Sequence, residues 1–236
     1  MEKVILFDIG KTLIDGDILI REALEYSTKK LKKLKLIENE EKFIKAYLEA
    51  DKNTTFAHIH HTYSDFEIIK KAWRSLGYKD NYRVYANFLF EYRNHVRSNI
   101  KPDQKILEAF QHLHNKKILL GIASDGTIVE QLETLVRLKI IPYLEPNLIF
   151  ISEDIGVEKT NKKFYEYVLN KISNPNRKIV IIGDRLEADI VIPKQLGFKT
   201  VLVLKYVEYP KGKIKSVNPD FIISDILELK KIIDLI

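Results

Sequence analysis

The chain has 236 residues, of which 45% are hydrophobic and none is cysteine, and its formal net charge is +6. The length suits one large domain or two small ones, and the lack of cysteine excludes disulfide-stabilised scaffolds, thiolate catalysis and zinc-finger sites. The positive charge is spread evenly along the chain, which argues against a nucleic-acid-binding protein, and no apolar run is long enough to span a membrane.

The first predicted element is a continuous apolar strand at residues 3–7, and no apolar signal sequence precedes it. We therefore expect a cytoplasmic protein. Residues 15–97 follow, and they show helical periodicity without a clear strand. A crossover between parallel strands needs only about a dozen residues, so this segment is too long to be a simple connection. The pattern predicts a separate all-helical domain at 15–97, in which most aromatic residues form the core.

From about residue 102 onward, strands and amphipathic helices alternate. We predict strands at 118–123, 148–152, 178–183, 200–204 and 221–223, and helices at 106–113, 128–136, 161–173, 186–196 and 225–235. Such alternation is typical of an α/β fold with a doubly wound, Rossmann-like parallel sheet. The chain is therefore predicted to divide into a Rossmann-like core, residues 1–14 and 98–236, and a smaller helical domain.

Four reactive side chains stand at or just beyond the ends of predicted strands, namely Asp8, Ser124, Lys159 and Asp184. Each alone has a plain structural explanation, such as a helix N-cap for Ser124 or a surface position for Lys159. In an open parallel sheet, however, the loops at the carboxyl ends of the strands converge on one crevice. We therefore expect these four side chains to meet at one site, although they are far apart in the sequence.

The order and spacing of these residues resemble the haloacid dehalogenase superfamily, whose members present a nucleophilic Asp, a Ser or Thr, a Lys and an acidic pair. The motifs that carry the resemblance are Val4-Ile5-Leu6-Phe7-Asp8-Ile9-Gly10-Lys11-Thr12-Leu13, Ser124, Gly156-Val157-Glu158-Lys159 and Ile181-Ile182-Gly183-Asp184. The resemblance covers the whole chain. It implies that residues 15–97 are a helical cap domain inserted after the first motif.

The resemblance also implies a set of catalytic roles. Asp8 is the expected nucleophile, and Ser124 and Lys159 are expected to contact the phosphoryl oxygens. A carboxylate and a phosphate repel each other, so a divalent cation with oxygen ligands is required between them. The resemblance implies that this cation is Mg²⁺. Its implied ligands are Asp8, Asp184 and the backbone carbonyl of Gly10. Asp189 is expected to orient metal-bound water or to join the ligands.

Two adjacent positions depart from the family pattern. Phosphatases of this superfamily usually carry a second Asp two residues after the nucleophile, as general acid and base, whereas this chain has Gly10 there. Lys11 replaces the glycine that usually comes next. Glycine has no proton to donate, and general acid-base catalysis typically contributes about 10² to 10⁴ in rate.

Three explanations of this departure remain open. The first is a Mg²⁺-dependent phosphatase that acts on a small phosphorylated metabolite through an aspartyl-phosphate intermediate, with an unusual proton donor. The second is a 2-haloacid dehalogenase or a phosphonatase-type hydrolase, and the third is a catalytically weak binding or regulatory protein. We favour the phosphatase. A dehalogenase uses no metal and lacks the pair found here as Gly183-Asp184, and no pattern singles out the Schiff-base lysine of a phosphonatase.

Three histidines, His58, His60 and His61, cluster in the predicted helical domain. A metal site would need further ligands, and Asp65 is the only nearby carboxylate, so a role without metal is favoured. The alternative is that one of these histidines supplies the missing proton, because histidine titrates in the appropriate range. The sequence indicates neither the substrate nor the oligomeric state.

Overall fold

The computed structural model describes residues 2–55, 65–172 and 177–235. The chain forms two compact units, one of Met1–Gly16 and Lys101–Ile236 and the other of Asp17–Ile100. Within the described ranges no helix has both the length and the apolar character needed to cross a membrane.

The unit Asp17–Ile100 is helical and has an aromatic core. Its helices are α1 (Gly16–Lys33), α2 (Glu40–Thr55), α3 (Asp65–Ser75) and α4 (Tyr82–Asn99). Asn81 caps α4, since its side-chain oxygen accepts hydrogen bonds from two backbone N–H groups of the first turn. The buried aromatic side chains of this unit are Phe43, Tyr47, Trp73, Tyr85, Phe88 and Tyr92. The expected aromatic core is therefore confirmed for these residues.

The other unit is built on a six-stranded parallel sheet. Its strands are β1 (Glu2–Phe7), β2 (Leu119–Ser124), β3 (Ile149–Ile151), β4 (Arg177–Gly183), β5 (Lys199–Val203) and β6 (Phe221–Ile223). Their spatial order is β3-β2-β1-β4-β5-β6, and every neighbouring pair is parallel. Residues Val4, Ile5, Leu6 and Phe7 of β1 are all fully buried, as expected for a strand covered on both faces of the sheet. The predicted doubly wound α/β fold is confirmed.

Helices alternate with these strands along the chain. They are α5 (Gln104–Asn115), α6 (Ile128–Arg137), α7 (Ser152–Ile155), α8 (Lys162–Ile172), a π-helix (Leu186–Val191) that leads into α9 (Ile192–Gln195), α10 (Lys211–Val217) and α11 (Leu229–Ile232). Short 3₁₀ turns occupy Ile141–Tyr143, Pro146–Leu148 and Ile226–Glu228. The helix predicted at 186–196 is thus π-helical in its first part. The sequence did not predict α10, because this short helix buries no side chain and shows no apolar periodicity.

The register of the central strands sets their carboxyl ends level. Phe7 of β1 lies opposite Ile122 of β2 on one side and Ile182 of β4 on the other. The residues that follow these three positions therefore leave the sheet at the same edge. Parallel strands with level ends bring side chains that are far apart in sequence into one place.

Candidate active site

The carboxyl ends of β1, β2 and β4 place three of the predicted site residues at one edge of the sheet. Asp8 follows β1 directly, Ser124 is the last residue of β2, and Asp184 follows β4. The Asp8 N–H donates a hydrogen bond of 2.8 Å to the Ile182 carbonyl, which extends the ladder by one residue and fixes the Asp8 backbone. All three side chains are buried, as expected for groups held in place by the sheet rather than by solvent-exposed loops.

Lys159 joins two carboxylates of this group. Its Nζ atom donates a hydrogen bond of 2.6 Å to Asp8 Oδ1 and lies 2.6 Å from Asp189 Oδ1, and its side chain is completely buried. Burial by itself would lower the pKa of Lys159, but the charges of Asp189 and Asp8 outweigh it and keep the pKa above its usual value. Lys159 is therefore a permanent cation at neutral pH. The surface position that was the plain alternative for this residue is wrong.

Asp189 lies on the π-helix and is held by the backbone of the loop before it. Its Oδ2 atom accepts a hydrogen bond of 2.9 Å from the Arg185 N–H. A Cβ atom at Gly183 would lie only 2.3 Å from the Asp189 Cγ atom and 2.4 Å from Oδ2. The glycine that precedes Asp184 is therefore required because the Asp189 carboxyl group packs directly against the backbone of β4.

Three carboxylates of this group form a candidate metal site. Asp8, Asp184 and Asp189 each offer a buried oxygen, and these oxygens all lie within 4.8 Å of one another. Burial, together with repulsion from Asp8 and Asp189, raises the pKa of Asp184 to about 7. Burial likewise raises the pKa of Asp8, against the opposing charge of Lys159. The Asp189 Oδ1 atom accepts no aligned hydrogen bond from the described residues. Closely spaced oxygens of this kind are the usual ligands of a hard divalent cation.

The buried charges of the described residues are confined to this site. The buried acidic and basic side chains are Asp8, Asp184, Asp189 and Lys159, and everywhere else in the described ranges the buried polar side chains are uncharged. When all four groups are ionised, the three carboxylates and the one ammonium group together carry a net charge of −2. Because uncompensated charge is costly in a protein interior, the group fits a divalent cation both in its donor atoms and in its charge.

The loop after β1 carries the departure at Gly10 noted in the sequence. A Cβ atom built at Gly10 meets nothing within 4 Å, so the position has room for a side chain. Lys11 has a φ of 55°, in the left-handed region that glycine adopts far more readily than other residues. Lys11 thus adopts a glycine-favouring conformation at the position where the family pattern has glycine. Thr12, which is fully buried, donates a hydrogen bond of 3.3 Å from its hydroxyl to Asp8 Oδ2.

The residues directly after Ser124 and Asp184 form an ion pair. Arg185 donates a hydrogen bond of 2.5 Å from Nη2 to Asp125 Oδ2, and Asp125 Oδ1 accepts one of 2.9 Å from the backbone N–H of Lys159. The hydroxyl of Ser124 donates a longer bond of 3.3 Å to the Asp125 carbonyl. Sequence reasoning missed Asp125, Arg185 and Thr12. For Asp125 and Arg185 the signal was their adjacency to two predicted site residues.

A cavity of about 450 Å³ opens at this edge of the sheet. It is lined by Asp8, Gly10, Lys11, Ser124, Asp125, Gln131, Asp184, Arg185, Val207 and Tyr209. Lys159 and Asp189 do not belong to this wall, so these two side chains lie behind it. The structure therefore brings all six predicted site residues into one group, four of them on the cavity wall. The histidine cluster at residues 58, 60 and 61 lies outside the described residues.

Comparisons with known proteins agree with this architecture. The sequence profile of the family described as haloacid dehalogenase-like hydrolase matches residues 5–203. A glyceraldehyde 3-phosphate phosphatase from Methanocaldococcus jannaschii is 28% identical over 222 residues, which cover 93% of this chain and 90% of that protein.

Two solved structures have similar folds. The putative HAD-hydrolase YfnB from Bacillus subtilis, bound to magnesium, superposes with a TM-score of 0.73 at 19% identity, covering 99% of both chains. A 2-haloacid dehalogenase from Pseudomonas syringae superposes with a TM-score of 0.71 at 17% identity, covering 100% of this chain and 99% of that one. One fold thus serves more than one reaction, so function has to be argued from the site.

Proposed function

This chain belongs to the haloacid dehalogenase-like hydrolases and is a phosphoric monoester hydrolase, and we propose that it uses Mg²⁺ to hydrolyse small phosphorylated metabolites. The relative named as a glyceraldehyde 3-phosphate phosphatase matches nearly the whole chain and supports the phosphatase reaction. The magnesium bound to the Bacillus subtilis structure supports the choice of metal.

The observation that carries this proposal is the buried charge group at the strand ends. Asp8, Asp184 and Asp189 place three carboxylates around one point, with Lys159 as the only buried cation among the described residues. Buried ionisable groups with strongly perturbed pKa values are typical of catalytic sites, because burying them costs stability that a purely structural role would not require. Asp8, Asp184 and the Gly10 carbonyl are the proposed ligands of Mg²⁺, and Asp189 either orients its water or joins them.

In the proposed reaction, a carboxylate oxygen of Asp8 attacks phosphorus and the bond to the leaving-group oxygen breaks. Water then hydrolyses the resulting acyl phosphate and restores Asp8. Mg²⁺, when bound, would reduce the repulsion between the phosphate and the carboxylates. Lys159 holds Asp8 Oδ1 at 2.6 Å and thereby orients the nucleophile. Ser124, on the cavity wall, is the proposed donor to a phosphoryl oxygen.

The proton for the leaving group is the unusual part of this proposal. Gly10 supplies none, so a water molecule or a residue other than Gly10 has to protonate the departing oxygen. Substrates whose leaving groups need little protonation should therefore react faster than alkyl phosphates. Residues 15–97 are proposed to act as a cap domain that selects among substrates, and glyceraldehyde 3-phosphate is the first metabolite to test.

The test is a panel of compounds incubated with the full-length protein, each with Mg²⁺ and with excess EDTA. The panel contains p-nitrophenyl phosphate, glyceraldehyde 3-phosphate, an alkyl phosphonate and a 2-haloacid. Asp8→Asn preserves side-chain volume and removes the nucleophile, and Asp154→Asn is its matched control, because Asp154 is an exposed residue of α7.

We expect Mg²⁺-dependent release of phosphate from p-nitrophenyl phosphate, loss of this activity with EDTA, and turnover by Asp8→Asn at background. The control should retain wild-type turnover. If Asp8→Asn kept more than about a tenth of the activity, Asp8 would not be the nucleophile, because loss of a nucleophile costs orders of magnitude. Release of halide without metal, and no release of phosphate, would instead support the dehalogenase alternative.

A further inference from the structure

The ion pair between Asp125 and Arg185 crosses the site on its cavity side. Asp125 directly follows β2, and Arg185 directly follows Asp184, the first residue after β4. Strand β1, which ends just before Asp8, runs between these two strands. Arg185 Nη2 and Asp125 Oδ2 are 2.5 Å apart, and both residues line the cavity together with Asp8. The pair therefore links the two loops on either side of the proposed nucleophile.

Arg185 presents unused hydrogen-bond donors at this wall. A guanidinium group carries five N–H donors, and within the described residues its side chain makes one hydrogen bond, to Asp125. The Arg185 side chain is 40% exposed, whereas that of Lys159 is fully buried behind the wall between two carboxylates. A phosphate group in the cavity would thus meet the guanidinium of Arg185 directly. Guanidinium groups suit phosphate oxygens, since their planar fork matches the geometry of two of them.

Asp125 is placed to fix the direction of this guanidinium. One of its carboxylate oxygens holds Arg185, and the other accepts the backbone N–H of Lys159. Both oxygens are therefore used by neighbouring groups of the site, one by the Arg185 guanidinium and the other by the Lys159 backbone. A side chain held in this way needs less ordering when a ligand binds, which favours binding.

We propose that Arg185 is a substrate-binding residue that donates hydrogen bonds to the phosphate group, and that Asp125 is a positioning residue that directs it. This inference rests on the proposed function and assigns to the same site a cation besides Lys159. It also gives the guanidinium a role that the predicted motifs did not include.

The experiment measures two quantities on the full-length, Mg²⁺-loaded protein. Calorimetry gives the Kd of inorganic phosphate, and steady-state kinetics with p-nitrophenyl phosphate give KM and kcat separately. The variants are Arg185→Gln, Arg185→Lys, Asp125→Asn and the double variant of Arg185→Gln with Asp125→Asn. Arg177→Gln is the matched control, because Arg177 forms a similar ion pair of 2.7 Å, with Glu2, at the opposite end of β4.

We expect Arg185→Gln to raise the phosphate Kd about 10- to 100-fold, the usual contribution of a hydrogen bond between charged groups. KM should rise with it, and Arg185→Lys should restore part of the affinity because it keeps the charge without the fork. Asp125→Asn retains an oxygen for the Lys159 N–H and should also weaken phosphate binding. The double variant should bind phosphate no more weakly than Arg185→Gln alone, since Asp125 acts through Arg185.

Phosphate affinity within about twofold of wild type in Arg185→Gln would overturn the inference, even if the variant unfolded at a lower temperature. Additive losses in the double variant would show that Asp125 does not act through Arg185 and would overturn its positioning role. If Arg177→Gln lost as much phosphate affinity as Arg185→Gln, the loss would be due to general destabilisation, and this result would also contradict the inference. A wild-type protein that neither binds phosphate nor hydrolyses any ester would overturn the proposed function itself, and this inference with it.

Discussion

Replacing Gly183 by alanine should disable the site while leaving the sheet in place. The added Cβ atom would lie 2.3 Å from Asp189 Cγ and 2.4 Å from Oδ2, far inside the separation of about 3.5 Å at which carbon atoms pack. The Asp189 carboxyl group must therefore move by about 1 Å or more. That movement disrupts its hydrogen bond with the Arg185 N–H and its ion pair with Lys159.

The expected magnitudes follow from this displacement. A misplacement of about 1 Å in a catalytic site costs on the order of 10²-fold in rate, and overpacking costs about 1–3 kcal/mol in the free energy of unfolding. We therefore expect the turnover of p-nitrophenyl phosphate to fall about 100-fold and the affinity for Mg²⁺, measured by calorimetry, to fall with it. Urea unfolding gives the change in stability.

Gly212→Ala is the matched control, because a Cβ atom at that position, in α10, meets nothing within 4 Å. We expect wild-type turnover and metal affinity for this variant. The reasoning would be refuted if Gly183→Ala retained turnover and Mg²⁺ affinity within about threefold of the control. In that case, the position of the Asp189 carboxyl group would not matter to the site.

Three further predictions concern the empty space at one residue and the charges of two others. Gly10→Asp should fold, because the position has open space, and should raise turnover of alkyl phosphates selectively, by up to about 10²-fold; an unchanged ratio of alkyl to aryl rates would contradict this. Saturating Mg²⁺, at about 100 times its Kd, should stabilise the wild type by about 2.7 kcal/mol, whereas Asp184→Asn should be more stable than wild type without metal and should lose this response. Burial alone would raise the pKa of Asp220, but hydrogen bonds from Lys199 and Thr200 outweigh it and hold this pKa below its usual value. The stabilisation of the fold by ionised Asp220 is therefore present at neutral pH and is lost as the pH falls below about 4. Asp220→Asn should thus lower the free energy of unfolding by about 1–2 kcal/mol at pH 7, and a difference that did not shrink on acidification would argue against this ion pair.

Much of the α/β fold was predictable because its strands carry a strong local signal. A strand such as β1, buried on both faces, is a continuous apolar run, and amphipathic helices such as α6 repeat apolar residues every three or four positions. The elements that were missed or altered lack this signal. Helix α10 buries no side chain. Asp189 of the π-helix at Leu186–Val191 lies 2.6 Å from Lys159, a contact between distant parts of the chain that local periodicity does not encode.

The sequence predicted the site residues from strand ends and from the family resemblance, but it did not predict the residues that pair with them. The ends of β1, β2 and β4 led to Asp8, Ser124 and Asp184, since parallel strands leave the sheet at one edge. The partners of these residues depend on tertiary geometry that periodicity does not encode. The hydrogen bond from the Lys159 N–H to Asp125 spans 34 positions of the sequence, and that from Arg185 to Asp125 spans 60.

In the loop after β1, the two departures from the family pattern, at Gly10 and Lys11, differ in what the structure requires of them. At Gly10 the backbone is unstrained and a Cβ atom would meet nothing, so nothing in the packing requires glycine there. At Lys11 the reverse holds, because a φ of 55° favours glycine and the lysine is retained at a cost in backbone strain. The lysine lines the same cavity as the vacant side-chain position. Relative to the family pattern, the cavity wall therefore lacks a carboxylate at position 10 and carries a cation at position 11, a combination that would favour binding of an anionic substrate over protonation of its leaving group.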